Sequence, residues 1–218
     1  MRLIDPMPGT RRTARLSLLF AGLLLYGISS GLMLEAELGQ MPWGVLHQGL
    51  ARSFGLSVGT WTIVVGALVL LAWVPLRLRP GFGTLANVLV LGLALDATLA
   101  VVPPVHTLPV RIPLLLAGVV LNGVASGAYI GAGLGAGPRD GLSIGLAARG
   151  LSLRAVRTSV EVAVLAAGWA LGGNVGVGTV LYALAIGPLV HRTLPAFQLR
   201  ERPADDPADR SVAAAPRD

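Results

Sequence analysis

Six apolar stretches, each about as long as a membrane crossing, constrain the fold of this chain more than any other feature. A spanning helix needs about 20 mostly apolar residues, and stretches of that kind recur along the whole sequence. They cover residues 14–36, 58–76, 83–102, 110–133, 155–172 and 178–193. The sequence therefore predicts an all-α membrane protein with about six transmembrane helices.

The composition also favours a lipid surrounding. Hydrophobic residues make up 54% of the 218 residues and charged residues 13%, with a mean hydropathy of +0.72, whereas soluble domains are about a quarter charged. The net charge is +6, but the arginines lie at the ends of apolar stretches rather than on one polar face, so we expect no nucleic-acid partner. The chain has no cysteine, which excludes disulfides and thiol catalysis.

The two ends of the chain lie outside the apolar stretches. The first stretch is longer than the apolar core of a signal peptide, which is about 7–15 residues, and the segment from Glu35 to Glu37 is a poor cleavage site. We therefore expect a retained first helix that follows a cytoplasmic tail, residues 1–13. Residues 196–218 are rich in Pro, Ala, Asp and Arg, and they predict a disordered cytoplasmic tail.

Arginine placement predicts the orientation. Loops that face the cytoplasm are enriched in Arg and Lys, and all 17 cationic side chains here are arginines. With six spans and the N-terminus inside, Arg52 and Arg111 are outside and the other 15 arginines face the cytoplasm. The sequence therefore predicts a multi-pass topology with both termini cytoplasmic.

A shift of 96 residues aligns the first half of the chain with the second. Matched pairs under this shift are Gly22 with Gly118, Gly27 with Gly123, Ser30 with Ser126, Gly31 with Gly127, Gly39 with Gly135 and Pro42 with Pro138. After one lost residue, the match continues at a shift of 95. We predict two repeats, residues 14–102 and 110–195, joined by an extracytoplasmic connector, residues 103–109. Because each repeat has three spans, the second enters the membrane inverted, as in many secondary transporters.

Each predicted repeat contains a break that is followed by a shorter segment. The breaks are Gly39 with Pro42 and Gly135 with Pro138, since Gly ends helices and Pro begins them. The segments that follow, residues 42–54 and 138–149, are either re-entrant or interfacial, and the sequence leaves both readings open. If they are re-entrant, their N-terminal N–H groups and dipoles form a site for a polar or anionic group.

Polar side chains in these segments and in the fifth stretch are the candidate solute-binding residues, namely His47, Arg139, Asp140, Arg157 and Glu161. Asp140 follows Pro138 at a helix start, where it either caps the helix or contacts a solute. Glu161 lies inside a predicted span, where a carboxylate is costly. It either pairs with Arg157, one turn away, or serves as a proton or cation site.

Small residues line one face of the fourth stretch. Gly123, Gly127 and Gly131 are spaced by four, which favours close helix packing. This packing is either within the chain or with a membrane protein partner or a second copy.

No constellation of residues predicts catalysis or metal binding. The three histidines, His47, His106 and His191, share no ligand spacing with one another or with a carboxylate. We therefore expect neither an enzymatic activity nor a cofactor nor a metal.

The paired signatures resemble those of the YczE-type bacterial membrane proteins, part of the broader YczE/YyaS/YitT group. They read Gly39-x-x-Pro42-Trp43-x-Val45-Leu46-His47-x-Gly49 and Gly135-x-Gly137-Pro138-Arg139-Asp140-Gly141-Leu142. The resemblance covers residues 14–195 and implies a protein of the bacterial plasma membrane, without a substrate or catalytic residues. In such proteins Asp is expected after Pro-Trp; Gly44 stands there, which weakens any site that uses both segments.

Two functions fit these patterns. The first is a small transporter or permease-like protein for a polar or anionic solute, suggested by the inverted repeats, the broken helices and the intramembrane Glu161. The alternative is a non-transport partner that organises or regulates another membrane or biosynthetic protein.

Overall fold

The computed structural model describes residues 11–199, in which all regular structure is helical. The eight helices of this part of the chain are α1 (Arg12–Glu35), α2 (Pro42–Phe54), α3 (Val58–Leu76), α4 (Phe82–Val101), α5 (Leu108–Gly131), α6 (Pro138–Ala147), α7 (Leu153–Ala170) and α8 (Val177–Phe197). The prediction of an all-α fold is confirmed for these residues. The sequence also located the two short helices, of which α2 has the predicted bounds.

Five of these helices, α1, α3, α4, α5 and α8, are long and apolar enough to cross a membrane. They correspond to five of the six predicted spans. The remaining one, residues 155–172, forms α7, which is less apolar because it carries Arg154, Arg157 and Glu161. A multi-pass helical membrane protein is therefore supported, with α7 differing in character from the other long helices.

The predicted tails fall largely outside the described residues. Arg2 and the four arginines after Leu199, which enter the orientation argument, are in residues 1–10 and 200–218. The predicted disordered tail begins at residue 196, but α8 continues to Phe197. Its helical pattern extends past Pro195, because a proline near the last turn removes only one backbone hydrogen bond.

Helices α1 and α5 form the centre of the bundle and run antiparallel. Arg15, near the start of α1, donates to the carbonyl of Ala132 just after α5, at 2.9 Å. Arg111, near the start of α5, donates to the carbonyl of Ala36 just after α1, at 2.6 Å. Both arginines thus satisfy a carbonyl at a helix end, where four carbonyls lack intrahelical partners. The 96-residue shift makes Arg15 equivalent to Arg111, and Ala36 to Ala132.

Each central helix packs closely on the last helix of its own half. Adding a Cβ at Gly27 would place it against Ala94 of α4, and at Gly31 against Thr98. Adding one at the equivalent Gly123 would place it against Leu189 of α8. The glycine stripe of α5 packs entirely on α8, at Gly123, Gly127 and Gly131. This face is therefore occupied within the chain, which is the first of the two alternatives that the sequence left open; a contact with a second copy or a membrane partner through it has no support.

The loops also connect the halves in matched ways. The N–H of Gly83 donates to the carbonyl of Leu134 at 2.7 Å, and the N–H of Gly178 donates to that of Leu38 at the same distance. The short helices lie between the halves as well, since α2 packs on α3 and α7, and α6 packs on the same two helices.

One helix pair has no counterpart in the other half. Helix α3 packs along α4, whereas no comparable packing joins α7 to α8. In the first half, both carboxylate oxygens of Asp96 on α4 hold the start of α3. One accepts from the N–H of Gly59 at 2.7 Å, and the other contacts the hydroxyl of Ser57.

Candidate functional site

The site is built where the two short helices begin. Gly39 and Gly135 precede them with φ values of +95° and +122°, backbone that favours glycine. Pro42 and Pro138 are the first residues of α2 and α6, as the sequence predicts. Neither helix has a side chain that caps its N-terminus.

Most of the first turns of α2 are buried within the bundle. The buried residues of this helix are Pro42, Trp43, Gly44, Val45, His47, Gln48 and Gly49. Adding a Cβ at Gly49 would place it against the backbone of Gly168 on α7. Because α2 also packs on α3, its first turns lie between two long helices.

A small cavity lies at the start of α2. Its volume is about 10 Å³, which is about the space that one water molecule needs. The side chains and backbone around it come from five helices and the first break: Tyr26, Ser30, Gln40, Met41, Gly44, His47, Thr62, Leu91, Leu95 and Arg139. Both predicted candidates His47 and Arg139 therefore meet here, although they belong to different halves of the chain.

His47 is the most informative side chain in this cavity. It is 2% exposed, and its Nδ1 lies 2.9 Å from the hydroxyl of Thr62. Its Nε2 is the one buried side-chain polar atom without a hydrogen-bond partner in residues 11–199. The ring is buried, Arg139 lines the same cavity and no carboxylate does, so the neutral form of the imidazole is favoured.

The uncharged polar side chains around the cavity, other than His47, already have partners. Ser30 donates to the carbonyl of Tyr26 at 2.8 Å, and the Tyr26 hydroxyl contacts Met41 Sδ at 3.7 Å. The amide of Gln40 donates to Gln48 Oε1 at 3.3 Å. Because buried polar atoms are nearly always satisfied, the unpartnered His47 Nε2 makes this cavity the candidate binding site.

Arg139 brings a positive charge to the same cavity. Its guanidinium carbon lies 4.8 Å from the centre of the Trp43 ring, a distance typical of a cation–π contact. Among the described residues it has neither a hydrogen bond nor an ion pair, and no carboxylate lines the cavity. The start of α2 adds partial positive charge through its dipole.

Asp140, Arg157 and Glu161 come together in a separate cluster. Arg157 lies 3.7 Å from Asp140 Oδ1 and 3.4 Å from Glu161 Oε1, and the Tyr129 hydroxyl donates to Asp140 Oδ2 at 3.0 Å. The side chains are 34% exposed for Asp140, 42% for Glu161 and 61% for Arg157. These contacts link α5, α6 and α7, but none of the three charged residues lines the cavity.

Metal binding has no support in the part of the chain that the structure describes. No group of three or more His, Asp and Glu side chains there is arranged to hold an ion. Arg139 would also repel a cation from the cavity.

Comparison with known proteins assigns the chain to a family. The model of DUF6198, a family of unknown function, matches residues 13–194. The chain belongs to the DUF6198 family. No solved structure matches it.

Relatives of this DUF6198 chain support the same placement. It is 41% identical to an uncharacterised protein of Haemophilus influenzae over 182 residues, 83% of this chain and 84% of that one. It is 36% identical to the uncharacterised membrane protein YczE of Bacillus subtilis over 179 residues, 81% and 83% of the two chains. The uncharacterised protein YyaS of the same organism is 29% identical over 181 residues, 80% and 89% of the two chains. The resemblance to YczE-type membrane proteins is confirmed.

Sequence reasoning on this DUF6198 chain missed four polar residues of the cavity. Tyr26 and Ser30 lie on α1, Gln40 lies in the first break and Thr62 on α3, and no local pattern connects them as a site. Gln40 alone had a signal, because it is a lone amide between the two residues that break the helix. It also missed Arg15, which is 4% exposed and was counted only as a cytoplasmic charge.

Proposed function

We propose that this DUF6198 chain is a small permease-like protein that moves a small polar or anionic solute across the bacterial plasma membrane. The observation that carries this function is the buried, unpartnered Nε2 of His47 in a cavity that Arg139 also lines. Binding sites of transporters occur where interrupted helices begin between two repeats. The cavity lies at the start of the short helix α2, and residues of both halves of the chain line it.

Inverted repeats are part of this proposal. The antiparallel packing of α1 on α5 supports it, because these helices are equivalent under the 96-residue shift and each begins beside the end of the other. The matched arginine contacts and the matched loop bonds at Gly83 and Gly178 support it further. In the proposed topology α7 is the fifth of six spans, and both termini face the cytoplasm. The arginine distribution is the support for that orientation.

The transport pathway passes between the halves at the cavity, and the cluster around Arg157 lies beside it. At about 10 Å³ the cavity is a closed state, which must widen before a solute larger than water can enter. Transport of this kind requires no catalytic step, cofactor or metal.

Flux through purified protein in liposomes tests the proposal. The panel consists of water, formate, nitrate, hydrogen carbonate and ammonium, each measured against protein-free liposomes. His47→Leu removes the unpartnered nitrogen and is expected to abolish any flux that the protein supports. His191→Leu is the matched control, since His191 is exposed on α8 and does not line the cavity.

The outcomes separate clearly. Flux of at least one solute with the wild-type and His191→Leu proteins, but not with His47→Leu, supports a permease. Absence of flux for every solute in the panel, with protein shown to be folded by thermal unfolding, contradicts it.

The alternative is a non-transport partner or regulator of another membrane or biosynthetic protein. The observation that favours it is the exposure of Arg157 and Glu161 on α7, together with the exposed Trp169 of the same helix. Charged side chains on an outer helix face are satisfied by a partner that covers them. A stable complex isolated from membranes, which Arg157→Ala dissociates, combined with absent flux would favour this alternative.

A further inference from the structure

The hydrogen bonds of Thr62 fix which nitrogen of His47 carries the proton. The Thr62 hydroxyl lies 2.9 Å from the carbonyl of Val58 and 2.9 Å from His47 Nδ1. A hydroxyl has one proton, and a carbonyl only accepts. Both contacts are hydrogen bonds only if Thr62 donates to Val58 and accepts from Nδ1–H. The Nε2 of the neutral ring is then a bare lone pair.

A bare lone pair in a buried cavity requires a donor. His47 Nε2 has none among the described residues, so a molecule that fills the cavity has to present an O–H or N–H there. Leaving such an acceptor unpaired costs about as much as losing a hydrogen bond outright.

The other side of the cavity is positively charged and favours an anionic group. Arg139 lines the cavity and has no carboxylate partner in the described residues. Gly44, in the first turn of α2, also lines the cavity, and the N-terminus of this helix has no side-chain cap. A neutral water would satisfy His47 but leave the guanidinium uncompensated. A cation would be repelled.

We propose, building on the permease function, that the cavity selects a small oxyanion that retains a proton, the class to which hydrogen carbonate belongs. Arg139 and the start of α2 bind its anionic oxygen, and His47 Nε2 accepts its O–H. The present volume of about 10 Å³ restricts the class to anions of a few heavy atoms, which enter when the cavity widens.

Hydrogen carbonate and nitrate form a matched pair of probes. Both are planar, singly charged oxyanions of similar size, and they differ in that nitrate has no proton. Binding is measured by the rise in thermal unfolding temperature of purified protein in detergent, titrated with each salt at mildly alkaline pH. The wild-type protein is expected to bind hydrogen carbonate at least about tenfold more tightly than nitrate.

Thr62→Val tests the tautomer without emptying the cavity. Valine has nearly the volume of threonine, but it offers no acceptor to Nδ1–H, so the proton can move to Nε2 and occupy the lone pair. The preference for hydrogen carbonate is expected to fall severalfold while nitrate binding stays the same or improves. Thr98→Val is the matched control, because Thr98 is buried on α4 outside the cavity. It should keep the wild-type preference.

Each outcome bears on a different claim. Equal binding of the two anions, or a preference that Thr62→Val leaves unchanged, overturns the requirement for a proton; the flux panel then still decides the permease function. Failure to bind either anion, while the panel shows flux of another solute, overturns the ligand class alone. Preference in the wild type that is lost in Thr62→Val and kept in Thr98→Val supports the inference.

Discussion

The two halves of the chain share their central packing but differ in how their second long helix is held. In the first half, Asp96 on α4 holds the start of α3 through Gly59 and Ser57, and α3 packs along α4. In the second half the position equivalent to Asp96 is His191, and no comparable packing joins α7 to α8. Helix α7 packs on α2 and α6 instead.

We infer from this difference that Asp96 holds the start of α3 against α4. An acidic side chain at a helix N-terminus accepts hydrogen bonds from free N–H groups and interacts favourably with the helix dipole. Asp96 does this for α3 from the neighbouring helix α4. His191 cannot do the same. Under the proposed permease function with inverted repeats, alternating access moves one repeat against the other, so α3 and α7 are the helices that we expect to move.

The largest loss of stability is expected from the matched arginine contacts that the two halves share. Arg15→Ala removes the bonds from a buried guanidinium to the carbonyls of Ala132 and Leu199, and we expect it to lower the free energy of unfolding by about 3 kcal/mol. Arg111→Ala should cost about 1–2 kcal/mol, because the Arg111 side chain is 19% exposed. Thermal unfolding in detergent measures both.

Arg12→Ala is the matched control for Arg15→Ala. Arg12 is exposed, so its loss removes an equal positive charge near the start of α1 without removing a buried contact. An equal loss of stability in both variants would show that the charge, and not the bond to α5, is what matters.

The next effect tests the carboxylate that distinguishes the halves. Asp96→Asn weakens the hold on the start of α3, so we expect a loss of about 1–2 kcal/mol and a longer distance between α3 and α4. Spin labels at the exposed Val64 and Leu93 report that distance. Asp140→Asn, a carboxylate change in the other half, should leave it unchanged; an unchanged distance in Asp96→Asn would remove this role from Asp96.

The converse substitution should make the second half more like the first. His191→Asp places a carboxylate at the position equivalent to Asp96, and we expect it to draw the start of α7 towards α8 with a gain of about 0.5–1 kcal/mol. Labels at Val162 and Leu184, both exposed, should move closer together. His191→Asn has no charge and should not move them, and the idea fails if the two variants behave alike.

The smallest effect is expected at Glu161. Glu161→Gln leaves Arg157 paired with Asp140, and the new amide oxygen can still accept from Arg157, so the free energy of unfolding should change by less than about 1 kcal/mol. Flux should also stay near that of the wild type, since Glu161 does not line the cavity. A large loss of flux would instead assign Glu161 to the transport pathway.

The helices could be predicted from the sequence because apolar length and helix breaks are local signals. Pro42 and Pro138 begin α2 and α6 as predicted, and α3 has the predicted bounds. The site could be predicted only in part, because its residues come from five helices. His47 and Arg139 stood out as polar side chains in short helices, whereas Thr62 resembles any hydroxyl in an apolar span.

The presence of charged residues in the sequence did not predict where in the fold their side chains come together. Asp140, Arg157 and Glu161 do converge, but beside the cavity rather than in it. The absence of comparable packing between α7 and α8 could not be predicted either. In the first half the contact joins Asp96 to Gly59, two residues that are distant in the sequence.

The central claim is that the two halves have opposed orientations in the membrane. The proposed permease function and the expected movement of α3 and α7 both depend on it. The chain has no cysteine, so single cysteines at Arg52 and Arg154 can be labelled in intact cells with a membrane-impermeant maleimide without background. We predict that the cysteine at position 52 is labelled from outside and the one at position 154 only after the cells are opened. Labelling of both from the same side would contradict the inverted arrangement.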